Sequence, residues 1–115
     1  MEGVHRTYLP IISRDLTQKI RIASILYLTQ ETRYIRIVTD RGEVVVRGKL
    51  EDMARSLPAS FDYCHSFLLI DLDRVEKMQD VCIYFDNGRC LHVGKGSYVA
   101  FRKRFHEYLL SLCLN

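Results

Sequence analysis

Short alternating segments constrain the fold of this 115-residue chain more than any other feature of its sequence. In YIRIVT, from Tyr34 to Thr39, successive side chains fall on opposite faces, and this two-residue period is typical of a strand with unequal sides. Similar segments rich in β-branched residues occupy 8–13, 19–22, 25–28 and 43–46. The sequence therefore predicts a mainly β domain made of many short strands.

Turn residues separate these segments at short intervals. Asp40 to Gly42, D-R-G, lies between two strands and predicts a hairpin turn. A second hairpin is expected where VCIYF and CLHV flank Asp86-Asn87-Gly88. Because Asn-Gly readily adopts positive φ angles, we expect a type I′ turn there.

Apolar residues at helical spacing occur twice. Between Leu50 and Pro58 they recur at i, i+3, i+4 and i+7, with two acidic residues in the first turn, and the proline ends the pattern. The second helix is expected after Ser97, which can cap it. Its apolar stripe consists of Tyr98, Phe101, Phe105, Leu109 and Leu112. The sequence predicts one short internal helix and one longer C-terminal helix.

Composition limits the class of protein. The length fits a single domain over residues 1–115, and a net charge of +3 is compatible with a polyanionic partner without demonstrating one. No segment has the pattern of a signal peptide or the length of a membrane span, so we expect a cytoplasmic protein without membrane insertion. The four cysteines lack C-x-x-C spacing, so reduced thiols are expected, with no metal site and no cofactor.

Catalytic motifs have little support. The chain lacks G-x-G-x-x-G and G-x-x-x-x-G-K-[ST], which argues against dinucleotide or nucleoside triphosphate binding. Cys64 and His65 are adjacent in a strand and should point to opposite faces. Asp71 and Asp73 lie at a strand end, where carboxylates more often form turns than an acid-base pair. We expect no enzymatic activity.

Three regions of the chain resemble one known family. FDYCHSFLLIDLDRV, from Phe61 to Val75, is similar to the signature strand of the LytTR family, whose usual form is close to F-x-R-x-H-R-S-Y-L-V-N. Upstream, ILYLTQETRYIRIVTDRGEVVVRGKLEDMARSLP resembles the paired strands and short helix of that family, and downstream CLHVGKGSYVAFRKRF resembles its closing strand and final helix. The resemblance covers about residues 7 to 110 and depends on order and spacing.

LytTR domains are the DNA-binding domains of LytR/AlgR-type bacterial response regulators in two-component systems. The resemblance implies an elongated packing of small antiparallel sheets with one short internal helix and one C-terminal helix. It also implies sequence-specific binding of double-stranded DNA to regulate transcription, with loops inserted into successive major grooves. Family members usually bind paired direct repeats as two copies, so the resemblance implies a DNA-dependent homodimer.

Alignment with the family places base readers in three loops, at Arg33, Ser66 and Lys95. Arginine can offer a bidentate fork to guanine O6 and N7, although a solvated hairpin arginine is the alternative. Lys95 lies between two glycines, which allow close approach of the backbone, although simple helix capping is also possible there. The basic run 102–104 is ordinarily a solvated helix face, with phosphate contact as the alternative.

Backbone contacts are expected from His65, Gly96 and Ser97. His65 coincides with the most recognisable histidine of the family, although a histidine beside a buried strand is often structural. Gly96 and Ser97 are expected to precede a helix whose free N–H groups favour a phosphate. Because the second loop and the closing strand should converge on one edge, we expect Cys64 and Cys90 to be close enough to pair.

This chain departs from the family pattern at Tyr63, Phe67 and Asp71, where the family frequently has Arg, Ser and Asn. Each departure removes a donor or adds a negative charge, and Ser66 is a weaker reader than the usual Arg, Lys or Asn. The alternative function is therefore a protein-interaction module of a regulatory system with weak or lost DNA affinity.

Overall fold

Ten short strands and two helices make up the computed structural model, which describes residues 7–113. The strands are β1 (Tyr8–Ile12), β2 (Thr17–Arg21), β3 (Ile25–Glu31), β4 (Tyr34–Thr39), β5 (Gly42–Arg47), β6 (Phe61–His65), β7 (Leu68–Asp71), β8 (Val75–Gln79), β9 (Cys82–Phe85) and β10 (Cys90–His92). The helices are α1 (Leu50–Ala54) and α2 (Lys95–Cys113), and two 3-10 turns span Ile22–Ser24 and Leu72–Arg74. The predicted mainly β fold is confirmed.

All strand pairs are antiparallel, and they form three small sheets. β1 pairs with β2, the second sheet has the order β10-β9-β8, and the third has the order β5-β4-β3-β7-β6. The signature segment is a hairpin and not one strand, since β6 and β7 pair around Ser66 and Phe67. β7 lies between β6 and β3. The hairpin of β6 and β7, which comes later in the chain, therefore extends the sheet of β3, β4 and β5 beyond β3.

The five-stranded sheet is buried on both faces. One core cluster joins it to the β1–β2 ribbon and α1 through residues such as Leu9, Ile35 and Leu50. The other joins it to the three-stranded sheet and α2 through residues such as Ile83 and Phe101. Successive side chains of a strand point to opposite faces of the sheet. Neighbouring residues of β7 therefore alternate between the two core clusters.

Two hairpin turns differ from the sequence expectation. At 86–88 only Gly88 has a positive φ, of 92°. The Gly88 N–H donates to the Phe85 carbonyl at 3.0 Å, so this three-residue loop is a type I turn followed by a glycine bulge, and the predicted type I′ turn was wrong. The type I′ pattern occurs instead at Asp80 and Val81, both with a φ of 55°.

Both helix predictions need correction at their ends. Ser56 and Leu57 donate to carbonyls three residues back, at 3.0 and 3.1 Å, so α1 tightens into a 3-10 turn after Ala54. At the start of α2 the Tyr98 N–H donates to the Gly94 carbonyl at 2.8 Å. Residues 96 and 97 therefore lie inside the first helical turn, and the serine is not the cap.

The apolar stripe of α2 is buried only in part. Tyr98, Phe101 and Phe105 are buried, but Leu109 and Leu112 are 42% and 55% exposed. The helix is 19 residues long, which corresponds to about 28 Å at 1.5 Å per residue. Its last turns extend beyond the sheets that it covers, so the predicted stripe is wrong for its final two members.

The cysteines are free thiols. Cys64 is buried, and burial raises the pKa of its thiol to about 11, whereas Cys90 is exposed on β10. No disulfide joins these two cysteines, and their expected proximity stays a prediction. The turn-forming interpretation of Asp71 and Asp73 is confirmed, because the Asp71 carboxylate accepts a hydrogen bond from the Asp73 N–H at 3.0 Å and begins the second 3-10 turn.

Candidate nucleic-acid interface

Sheet topology brings the predicted loops to one edge. In the five-stranded sheet β3, β5 and β6 end where β4 and β7 begin, because these neighbours are antiparallel. The turn at 32–33, the connection at 48–49 and the turn at 65–67 therefore share this edge. The first turn of α2, at 95–97, is joined to it by the Cys64 thiol, which donates to the Ser97 carbonyl at 3.7 Å. We call these four segments the loop edge.

Arg33 lies in the two-residue turn between β3 and β4 and is exposed. Its carbonyl accepts a hydrogen bond from the Gly48 N–H at 3.0 Å, which ties this turn to the connection after β5. The preceding Thr32 has a φ of 61°, a conformation that a β-branched residue rarely adopts. The backbone of this turn is thus held by the neighbouring connection, and the arginine side chain remains accessible.

Gln30 is a positioning residue that sequence reasoning missed. Its amide nitrogen lies 3.2, 3.0 and 3.0 Å from the carbonyl oxygens of Thr32, Tyr34 and Gly48. Its amide oxygen accepts from the Leu50 N–H at 2.6 Å. One half-buried side chain therefore connects the first loop, the 48–49 connection and the start of α1. Its partners lie on separate elements, so no local sequence pattern signals this role.

The second loop is held by hydrogen bonds to the His65 ring and to β3. The Phe67 N–H donates to His65 Nδ1 at 3.2 Å, and the Phe67 carbonyl accepts from the Gln30 N–H at 2.8 Å. Because a neutral imidazole carries one proton, acceptance at Nδ1 leaves the proton on Nε2. The exposed His65 ring can therefore donate from Nε2. Cys64 is buried and His65 is exposed, as the strand alternation predicts.

The third segment presents a helix start. Lys95 and Gly96 are exposed, and Ser97 is half-buried. The N–H groups of the first helical turn have no intrahelical partner, and they carry the partial positive charge of the helix dipole. A Cβ added at Gly94 or Gly96 would meet no heavy atom within 4 Å. The backbone of this turn is therefore open to a large ligand.

The sequence profile of the LytTr DNA-binding domain family matches residues 15–106. The chain belongs to the LytTR family. Among solved structures, it is similar to the LytTr DNA-binding domain of a Bacillus cereus methyl-accepting/DNA response regulator, with a TM-score of 0.66 and 16% identity over 86% of this chain and 96% of that chain. A comparison with curated proteins found no match.

Membership identifies this chain as a LytTR DNA-binding domain, which implies DNA binding in regulation. The family profile describes a DNA-binding domain and not a catalytic one. Residues 7–113 contain no cluster of three or more His, Cys, Asp or Glu side chains suited to a metal ion. In the same range, no helix is both long and apolar enough to span a bilayer.

Several cations of the LytTR loop edge and its flanks are exposed and, within the described part of the chain, have no carboxylate partner. They are Arg33, Arg47, Lys49 and Lys95. Arg36 of β4, by contrast, is neutralised. Arg36 contacts Glu31 at 2.9 Å and Glu43 at 2.7 Å, and its guanidinium lowers the pKa of both carboxyls below their usual range. Four unpaired cations are therefore available to a polyanion at the loop edge and its flanks, and exposed cations elsewhere, such as Arg14, Arg41 and Lys103, also lack a carboxylate partner among the described residues.

Lys49 is a second residue that sequence reasoning missed. A shallow surface depression of about 470 Å³ is lined by Lys49, Tyr63, Ser66 and Phe67 among others. Lys49 therefore borders the same depression as the second loop. The family resemblance gave no role to the connection after β5, and the hydrogen bond from Gly48 to the first loop brings it to the loop edge.

Proposed function

We propose that this domain binds specific sequences of double-stranded DNA through the loop edge and so regulates transcription. Arg33, Ser66 and Lys95 would contact base edges, and His65, Gly96 and Ser97 would contact the phosphate backbone. The observation that carries the proposal is the convergence of these residues, from distant segments, on one edge of a family-matched DNA-binding domain.

Size and shape support insertion into successive major grooves. The molecule measures 40 × 35 × 23 Å, and one turn of B-DNA repeats after about 34 Å. The longest dimension of the domain is therefore comparable with the spacing of two adjacent major grooves. A tight turn such as 32–33 or 65–67 is narrow enough to enter a groove about 12 Å wide.

The chemistry of each segment suits the role proposed for it. The exposed Arg33 guanidinium can donate two parallel hydrogen bonds to guanine O6 and N7. The Nε2 proton of His65 and the free N–H groups at the start of α2 are donors that a phosphate oxygen can accept. The unpaired charge of Lys95 and Lys49 adds attraction that does not depend on sequence.

We further propose that the domain is the DNA-binding part of a bacterial response regulator in a cytoplasmic two-component system, and that two copies bind paired direct repeats. The family resemblance supports this assignment, and the similar Bacillus cereus domain belongs to a response regulator. Titration of one duplex carrying two repeats, followed by mass measurement of the complex, should give two protein molecules per duplex and one on a half-site.

Selection of bound duplexes from a random pool tests the main proposal. We expect the selected duplex to bind at least about 10³-fold more tightly than a scrambled one, and binding should weaken steeply between about 50 and 200 mM salt. Equal affinity for selected and scrambled duplexes would remove sequence specificity from the proposal. Absence of any salt-dependent binding would favour the protein-interaction module instead.

A further inference from the structure

Phe67 is an unusual residue for the tip of a tight turn. Its side chain is 58% exposed, whereas the other four phenylalanines, Phe61, Phe85, Phe101 and Phe105, are at most 9% exposed. A ring that stays in contact with water contributes little to folding through burial of its own surface. Phe67 follows Ser66 directly and lies on the loop edge, so its ring faces the same ligand as the proposed reader.

The backbone of Phe67 is held in place before any ligand arrives. Both backbone groups of Phe67 are engaged, the N–H by His65 Nδ1 at 3.2 Å and the carbonyl by the Gln30 N–H at 2.8 Å. The ring also meets the His65 imidazole edge to face, with centroids 6.4 Å apart and planes at 72°. A residue whose backbone is already ordered loses less conformational freedom when it contacts a partner.

The chemistry of the ring selects what it can recognise. Phenylalanine has no hydrogen-bond donor or acceptor, so it cannot satisfy the polar edges that guanine, adenine and cytosine present in the major groove. Thymine alone offers an apolar group there, the C5-methyl, and contact with that methyl is the specific recognition open to an apolar side chain.

We infer that Phe67 contacts the C5-methyl group of a thymine and makes this domain prefer a T·A pair at one position of its site. The inference rests on the proposed function and deepens it. Ser66, next along the turn, would then hydrogen-bond a neighbouring base, and Lys49 would hold the adjacent phosphate across the depression that it shares with Phe67.

Uracil substitution tests this directly, because replacing thymine by uracil removes only the methyl group. Each thymine of the selected duplex is replaced in turn, and affinity is measured by fluorescence anisotropy. For the unaltered protein we expect about a fourfold loss at one position, the effect of one buried methyl, and none elsewhere. At that position 5-methylcytosine should also bind more tightly than cytosine.

The variants assign the effect to Phe67. Phe67→Ala should remove the difference between thymine and uracil at that position, while Phe67→Leu, which keeps an apolar side chain, should retain part of it. Ile12→Ala is the matched control, because Ile12 is exposed but lies outside the loop edge; it should leave the thymine-to-uracil ratio unchanged.

Several results would overturn the inference, and they differ from failure of the proposed function. If the unaltered protein binds the selected duplex specifically but tolerates uracil everywhere, the thymine contact is absent while the proposed function stands. A thymine preference that survives in Phe67→Ala assigns the contact to another residue. A ring that only wedges between base steps would lower affinity when removed, without changing the uracil ratio. Absence of any specific binding would overturn both.

Discussion

Lys95 and Lys103 are both exposed cations of α2, and neither has an ion-pair partner among the residues that the structure describes. They differ in position. Lys95 is the first residue of the helix and belongs to the loop edge, whereas Lys103 lies about two turns later on an exposed face. A charge that reaches a base edge changes specificity, and a charge that meets only phosphate changes affinity for every sequence alike.

Lys95→Ala should therefore cost about 1–3 kcal/mol of binding free energy on the selected duplex and flatten discrimination at one base position. Lys103→Ala should weaken all duplexes nearly equally and reduce the salt dependence by about one unit of slope. Titration of both variants against single-base variants at two salt concentrations measures this. Arg41→Ala is the control, because Arg41 is an exposed cation in the turn between β4 and β5, at the opposite end of the sheet from the loop edge, and this change should affect binding least.

Gln30 acts on DNA only through the loops that it holds. Removing its amide takes away the hydrogen bonds that it makes with the Leu50 N–H and with three carbonyl oxygens. Gln30→Ala should lower the free energy of unfolding by about 1–3 kcal/mol and weaken DNA binding under conditions where the variant is still folded.

Chemical denaturation and anisotropy together check the role of Gln30. Gln18→Ala, a change at an exposed glutamine of β2, should alter neither quantity. If Gln30→Ala lost stability but kept full affinity for the selected duplex, the loop positions would not depend on this side chain.

The element α1 covers one face of the five-stranded sheet with very few residues. Leu50 is 3% exposed and belongs to the cluster with Leu9 and Ile35, whereas Met53 is only partly buried against it. Leu50→Ala should cost about 2–5 kcal/mol of unfolding free energy, and Met53→Ala should cost less. Urea denaturation of both variants measures these losses. If each variant lost less than about 0.5 kcal/mol of unfolding free energy, α1 would contribute little to the core.

Local sequence patterns predicted where strands and hairpins lie better than features that depend on long-range contacts. The two-residue period predicted the bounds of β4, Tyr34–Thr39, and the turn residues at 40–42 and 86–88 marked real hairpins. The type I′ turn at 80–81 was missed because it contains no glycine or asparagine and because a β-branched residue such as Val81 rarely adopts a positive φ. Val81 packs against the core, and this long-range contact cannot be read from the local sequence.

The candidate site shows the same division between local patterns and long-range contacts. Arg33, Ser66 and Lys95 followed from resemblance in order and spacing, and the structure brings their segments to one edge. Gln30 and Lys49 were missed because their roles depend on long-range neighbours. The buried part of the predicted α2 stripe stops before Leu109. Periodicity shows which residues share a helix face, but it does not show how far the facing sheet extends.

At the scale of the whole molecule, two cores share one sheet, and Asp71 lies where the chain passes from the five-stranded sheet to the three-stranded one. It ends β7, opposite Phe61 of β6, and its carboxylate accepts from the N–H of Asp73 at 3.0 Å. The side chain is 4% exposed. Burial raises the pKa of Asp71 to about 6, against smaller lowering effects from hydrogen bonds with Ser60 and Asp73.

This raised pKa makes global stability depend on pH in a definite direction. The folded state holds the Asp71 proton more tightly than the unfolded state, whose pKa is about 3.9. Stability from this group is therefore fully present below about pH 4 and is lost as the pH rises through about 6, by up to about 3 kcal/mol for two units of pKa.

Asp71→Asn separates the charge of this side chain from its hydrogen bond, because asparagine keeps an oxygen that can accept the Asp73 N–H and carries no charge. Urea denaturation between about pH 4 and 7.5 should show a variant that gains stability relative to the unaltered protein as the pH rises. The exposed-site change Glu76→Gln should leave the pH profile in this window unchanged. Parallel profiles for Asp71→Asn and the unaltered protein would mean that Asp71 is ionised in the fold without penalty.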